Sequence, residues 1–190
     1  MKTKFLAVIL AFAANSAFAS VVNGDFSTGD LSGWTASGSV GVQTGGSYNF
    51  AKLVAGSANV YTTVSQTVHL NAGEELTGYA QFFAKDYMPY DDDAFVSIGG
   101  FNLFTSSIAA VGDYGTSALT MFSWTATTSG DYVLTAGVTN RGDSAASSEL
   151  QVSNFAAVSA VPEPASIALM GLGLIGVAGL RRKTANRKQA

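Results

Sequence analysis

From residue 20 to residue 160 the apolar side chains return at every second position, and a chain with that rhythm hides them by forming half-buried β-strands. In Tyr132, Leu134, Ala136 and Val138 one face is apolar, while Thr135, Gly137 and Thr139 lie opposite. Val60, Val64 and Val68 similarly oppose Tyr61, Thr63, Ser65, Thr67 and His69. No helical stripe competes. The alternation predicts strands at 39–43, 48–54, 59–69, 75–84, 93–98, 119–126, 131–139 and 149–158. Thr127-Thr128-Ser129-Gly130-Asp131 reads as a hairpin loop, and Asn140 to Ser144 as a polar hairpin turn. Eight to ten antiparallel strands in about 140 residues predict an all-β fold, a single two-sheet sandwich of the jelly-roll kind spanning 20–160.

Both ends of the chain break that rhythm. Met1 to Ala19 carries Lys2 and Lys4, an apolar stretch from Phe5 to Ala14, and small residues at Ala17 and Ala19, the pattern of a signal peptide cleaved after Ala19. At the other end, Pro162 and Pro164 hold Val161 and Glu163 extended and let a helix begin only afterwards. The sixteen uncharged residues from Ala165 to Leu180 would span roughly 24 Å as a helix, against a hydrocarbon core of about 30 Å. That is short for a lasting anchor, and Gly171, Gly173, Gly176 and Gly179 weaken it further. Arg181, Arg182 and Lys183, followed by Arg187 and Lys188, keep the terminus, with its basic tail at 184–190, in the cytoplasm and so place the main body outside.

Val161, Pro162, Glu163 and Pro164, the apolar span at 165–180 and Arg181-Arg182-Lys183 together resemble the PEP-CTERM sorting signal of exported proteins in Gram-negative bacteria that make exopolysaccharide. The resemblance covers residues 161–183. It implies a membrane-embedded, exosortase-like transpeptidase as a partner, in addition to signal peptidase and the export machinery. It also implies a path from the inner membrane, with the ectodomain in the periplasm, to the cell surface or extracellular matrix.

The ectodomain carries twelve carboxylates against Lys52, Lys85 and Arg141, a net charge of −9. Such a surface repels nucleic acid, which leaves cations or neutral glycans as partners. Cysteine is absent, so stability must come from the core.

The mature chain opens with Asn23-Gly24-Asp25-Phe26-Ser27-Thr28-Gly29-Asp30-Leu31-Ser32-Gly33-Trp34, which resembles the opening of galactose-binding-like and related carbohydrate-binding jelly rolls. Phe26, Leu31 and Trp34 are the expected anchors of this segment on the sheets. The resemblance implies a last strand, Glu149 to Val158, closing the sandwich beside it, and a calcium ion held between the two regions. Asn23, Asp25 and Asn154 are the candidate ligands, although Ser27 and Asn154 stand where the resembling modules carry acids.

Asp91-Asp92-Asp93, after Pro89-Tyr90, is the strongest local charge. With Asp91 and Asp93 on one side, and Tyr87 and Tyr90 available for stacking, it could hold calcium or sugar hydroxyls, but a solvated loop is the favoured reading. The spacing excludes an EF-hand. Trp34, Trp124, Phe82, Phe83, Tyr79, Tyr114 and Tyr132 are the aromatics from which a glycan platform could be drawn, most of them expected in the core. His69, the only histidine, reads as solvent-exposed. No G-x-S-x-G elbow and no Walker loop occurs. The expected ectodomain is therefore a non-catalytic binder of exopolysaccharide or a structural protein. A glycan hydrolase built on two carboxylates is the alternative, and a self-associating coat subunit a third reading.

Overall fold

The computed structural model describes residues 21–158. The expected signal peptide, sorting motif, apolar span and basic tail lie outside the described residues. Among the described residues, no helix is long and apolar enough to cross a membrane.

The strands follow as β1 (Thr35–Ser37), β2 (Ser39–Gln43), β3 (Phe50–Val54), β4 (Thr62–Leu70), β5 (Glu75–Phe83), β6 (Asp93–Ile98), β7 (Phe101–Ser107), β8 (Thr120–Thr125), β9 (Gly130–Thr139) and β10 (Glu149–Val158). A single helical turn, α1 (Ile108–Val111), follows β7. They form two five-stranded antiparallel sheets, β1-β4-β9-β6-β7 and β2-β3-β10-β5-β8, the expected all-β jelly-roll sandwich.

Alternation builds the core. Val64, Val68, Val96, Ile98, Leu134, Ala136 and Val138 face inward from the first sheet, against Ala51, Leu53, Leu76, Phe82, Leu150 and Val152 of the second, all nearly or fully buried. The N-terminal segment docks as its anchors imply. Phe26, Trp34 and Phe155 pack as a trio, with centroids 5.4, 5.1 and 6.4 Å apart. Gln66, inward on β4, accepts from the Val22 amide at 2.8 Å and donates to the carbonyls of Val22 and Gly33, both at 2.9 Å. The Phe155 amide donates to the Gly24 carbonyl at 3.0 Å, so the last strand closes beside the first residues. A Cβ on Gly24 would lie 2.0 Å from the Phe155 carbonyl oxygen, which makes glycine obligatory there.

The structure corrects several expectations. Residues 127–131 are not a hairpin loop, because β8 pairs with β5 in one sheet and β9 with β4 and β6 in the other. Asn140 to Ser144 likewise belongs to a crossover from β9 to β10. Val60 lies outside β4 and is 59% exposed, whereas Val64 and Val68 are buried as expected. β1, β7 and α1 have no counterpart among the strands read from the alternation.

Candidate functional site

Four connections gather at one end of the sandwich: 55–61, 84–92, 108–119 and 140–148. The registers Glu149↔Phe83, Asp93↔Thr139 and Thr62↔Val138 put them there. Toward this end, the outer face of the first sheet opens into a basin of about 500 Å³, lined chiefly by Tyr61, Asp93, Phe95, Asn102, Thr105 and Ser107. The pairs Asp93↔Ser107 and Phe95↔Thr105 set β6 and β7 side by side across its floor. Phe95 lies against the backbone of β9 where Gly137 has no side chain; a Cβ there would come within 2.6 Å of the ring. Tyr61 meets Phe95 edge-on, with centroids 5.1 Å apart at 82°.

The charge in the basin is held in a closed triad. Asp93 accepts from the Tyr61 hydroxyl through one oxygen and from Arg141 Nε through the other. Arg141 Nη2 donates to the Tyr61 oxygen at 2.8 Å, and the guanidinium carbon lies 5.4 Å from the centre of the Tyr61 ring. Burial, then the hydrogen bond to Asp93 and its charge, push the Tyr61 phenol up to about 12. Beside this triad, the side chains of Asn102, Thr105 and Ser107 make no hydrogen bond to the rest of the described protein. The basin thus offers unpartnered hydroxyls and an amide next to an aromatic wall and an oriented carboxylate. Those are the groups that hold a polyhydroxylated ring.

The three consecutive aspartates part company. Asp93 enters the basin. Asp91 turns to α1, where its Oδ1 accepts the Ala109 amide at 2.7 Å, and it is not among the residues lining the basin. Asp92 is fully buried; Oδ1 accepts the Arg141 amide at 2.8 Å and Oδ2 the Ser148 hydroxyl at 2.6 Å. Burial pushes its carboxyl above the usual range, with repulsion from Asp86 and Asp143 adding to the rise. Tyr87 and Tyr90 meet at 5.8 Å and Tyr87 meets Tyr114 at 6.0 Å, in an exposed cluster separate from the basin lining. Trp34 is removed from any ligand-binding role: it is 8% exposed, with Nε1 donating to the Asn23 carbonyl at 3.1 Å. Of the other aromatics, Phe82 is core, whereas Trp124 stacks in a partly open group with Phe101 and Tyr132.

At the N-terminal candidates the side chains are engaged within their own loop. Asn23 Nδ2 donates to the carbonyls of Asp30 and Ser32 at 2.9 and 3.3 Å, and its Oδ1 accepts the Thr28 amide at 3.4 Å. Asp25 is exposed, and the hydrogen bonds from Ser27 hold its carboxyl below the usual range. Asn154, at φ 51° in the β10 bulge, lines a smaller hollow of about 200 Å³ on the opposite sheet with Tyr48, Tyr79, Leu119 and Ser153.

Tyr61, Asn102, Thr105, Ser107 and Arg141 were not singled out as site residues by the sequence. Arg141 stood out only as one of three cations in the ectodomain, and the other four depend on the pairing of β7 with β6 and on the fold of the 55–61 connection.

Comparison with known proteins adds the address. Residues 160–183 match the family model described as the PEP-CTERM protein-sorting motif. The chain carries a PEP-CTERM motif. That motif implies export and membrane-anchored sorting as an exosortase substrate. By sequence, no curated protein matches. Solved structures similar to the sandwich include TmCBM61 in complex with β-1,4-galactotriose, at 19% identity and TM-score 0.46, covering 73% of this chain and 96% of that one. The N-terminal cellulose-binding domain of Cellulomonas fimi β-1,4-glucanase C is similar at 19% identity and TM-score 0.43, over 72% and 95% of the two chains. A cleaved adhesin domain of Lys-gingipain from Porphyromonas gingivalis is similar at 12% identity and TM-score 0.48, over 74% and 99%.

Proposed function

We propose that this PEP-CTERM protein is a surface or extracellular-matrix component whose ectodomain binds neutral glycan, the exopolysaccharide of its own cell, without cleaving it. The protein is exported and held in the inner membrane with its ectodomain in the periplasm. An exosortase-like transpeptidase then processes it for release to the surface. The observation that carries the binding role is the basin, in which Asn102, Thr105 and Ser107 face the Tyr61–Phe95 wall and Asp93 with their hydrogen-bonding capacity unspent. A net charge of −9 on the ectodomain favours a neutral polymer over an acidic one.

Binding is favoured over hydrolysis by the same geometry. Glycoside hydrolysis uses two carboxyl groups flanking the scissile bond. Asp93 is the one carboxylate in the basin lining, and it is engaged by Tyr61 and Arg141. Retention on immobilised matrix polysaccharide tests the reading. Tyr61→Ala and Asn102→Ala should each weaken retention by about tenfold, or roughly 1.4 kcal/mol, and no sugar should be released on long incubation. Unchanged retention in both variants would remove the basin from consideration, and released oligosaccharide would revive the hydrolase.

A further inference from the structure

We propose that Asp86, Asp92 and Asn140 form a calcium site beneath the loops at the basin end of the sandwich. All three are buried, at 2%, 0% and 0% exposure. Asn140 Nδ2 donates to the Gly56 carbonyl at 2.8 Å, which fixes the orientation of the amide and turns Oδ1 away from that partner. Asn140 Oδ1 and Asp86 Oδ2 are both buried with no hydrogen-bond donor. Buried polar atoms in folded proteins are nearly always satisfied, so two orphaned acceptors in one loop cluster call for a common partner.

The three side chains share a neighbourhood. Asp92 Oδ1 accepts the amide of Arg141, the residue after Asn140, and the charge of Asp86 acts on the Asp92 carboxyl. No cationic side chain of the ectodomain serves them. Arg141 is committed to Asp93, Lys52 to Glu149 at 2.9 Å, and Lys85 lies over the Phe83 ring. His69 pairs with Asp131 at 2.7 Å. A buried anion is costly unless it is paired or bound to a metal.

The donors choose the metal. Two carboxylates and an amide carbonyl are hard oxygen ligands, suited to calcium and not to a sulfur- or nitrogen-seeking ion. Among the described residues no group of three His, Cys, Asp or Glu gathers to hold a metal, so the remaining coordination positions fall to backbone carbonyls and water. The ion would tie the 84–92 connection to 140–148 and so steady Arg141, which orients Asp93 and Tyr61 in the basin.

The site is read without any polysaccharide, so its failure and that of the glycan reading are distinguishable. The full chain, purified in detergent and stripped with EGTA, is titrated with terbium and excited through tyrosine, Tyr87 being the neighbour of Asp86. The expected result is a single saturable signal that calcium displaces. Thermal unfolding should move up by roughly 10 °C when calcium exceeds its Kd about a hundredfold. Asp86→Asn and Asp92→Asn should each weaken calcium binding by about tenfold or more, while Asp25→Asn leaves it unchanged. Absence of a saturable terbium signal, with unfolding indifferent to calcium and EGTA, overturns the proposal. A loss that follows Asp25 in place of Asp86 and Asp92 also overturns it. If the variants fail to fold, the terbium and calcium titrations of the unmodified chain decide alone.

Discussion

Removing the proton from Tyr61 would set a phenolate beside the Asp93 carboxylate in a partly buried site, so the hydroxyl holds its proton well past the ordinary tyrosine range. The sign of the linkage follows. The folded-state value, about 12, lies above the ordinary 10.0, so the stability tied to this proton is complete below about pH 10 and is lost as pH rises through about 12. Ultraviolet difference titration should show one tyrosine ionising near pH 12, and Tyr61→Phe should delete that step alone. A Tyr61→Phe profile that superimposes on the unmodified one would remove the proposed Tyr61–Asp93 contact. At this scale the sequence was only partly legible. The Asp91–Asp93 run stood out as charge, but the different fates of its members depend on a helical turn at 108–111 and on Arg141, neither of which the local pattern marks.

Among the elements, the N-terminal segment shows how much a short stretch can state. Its Phe26 and Trp34 anchors were readable because large aromatics set among glycine turns have few uses besides packing, and both lie buried against Phe155. Phe26→Ala should destabilise the ectodomain by about 3–5 kcal/mol in urea unfolding. Val60→Ala, at an exposed position outside the strand, should stay within about 0.5 kcal/mol. Equal losses at the two positions would contradict the packing described. Strands β2 to β6 and β8 to β10 were legible because their apolar side chains recur with period two, half-buried in β2 and buried on at least one face in most of the others. β1 was not, since all three of its residues are exposed and carry no alternation. β7 was not, because its pairing with β6 shifts register at Val96/Ser97, and both Phe101 and Asn102 are exposed. Loop composition marked breaks near 127–129 and 140–144 but not which sheet the chain would enter next, which is decided by the partners of β9 and β10 across the whole domain.

For the molecule as a whole, the strands complete both sheets within residues 35–158, so the sorting motif at 160–183 follows a finished sandwich. Changing the motif should therefore alter destination without altering fold. With Pro162 and Pro164 both replaced by alanine, intact-mass analysis of membrane, envelope and medium fractions should find residues 181–190 retained, while the unmodified protein outside the membrane should lack them. Retention in both would reject processing. The register of β10 carries a last consequence. Val158 pairs with Glu75 at one pole of the sandwich and Glu149 with Phe83 at the other, so β10 ends at the pole opposite the gathered loops. Ten strand residues separate the two, a standoff of roughly 30 Å. A polymer seated in the basin would therefore lie a full strand length from the Val158 end of β10.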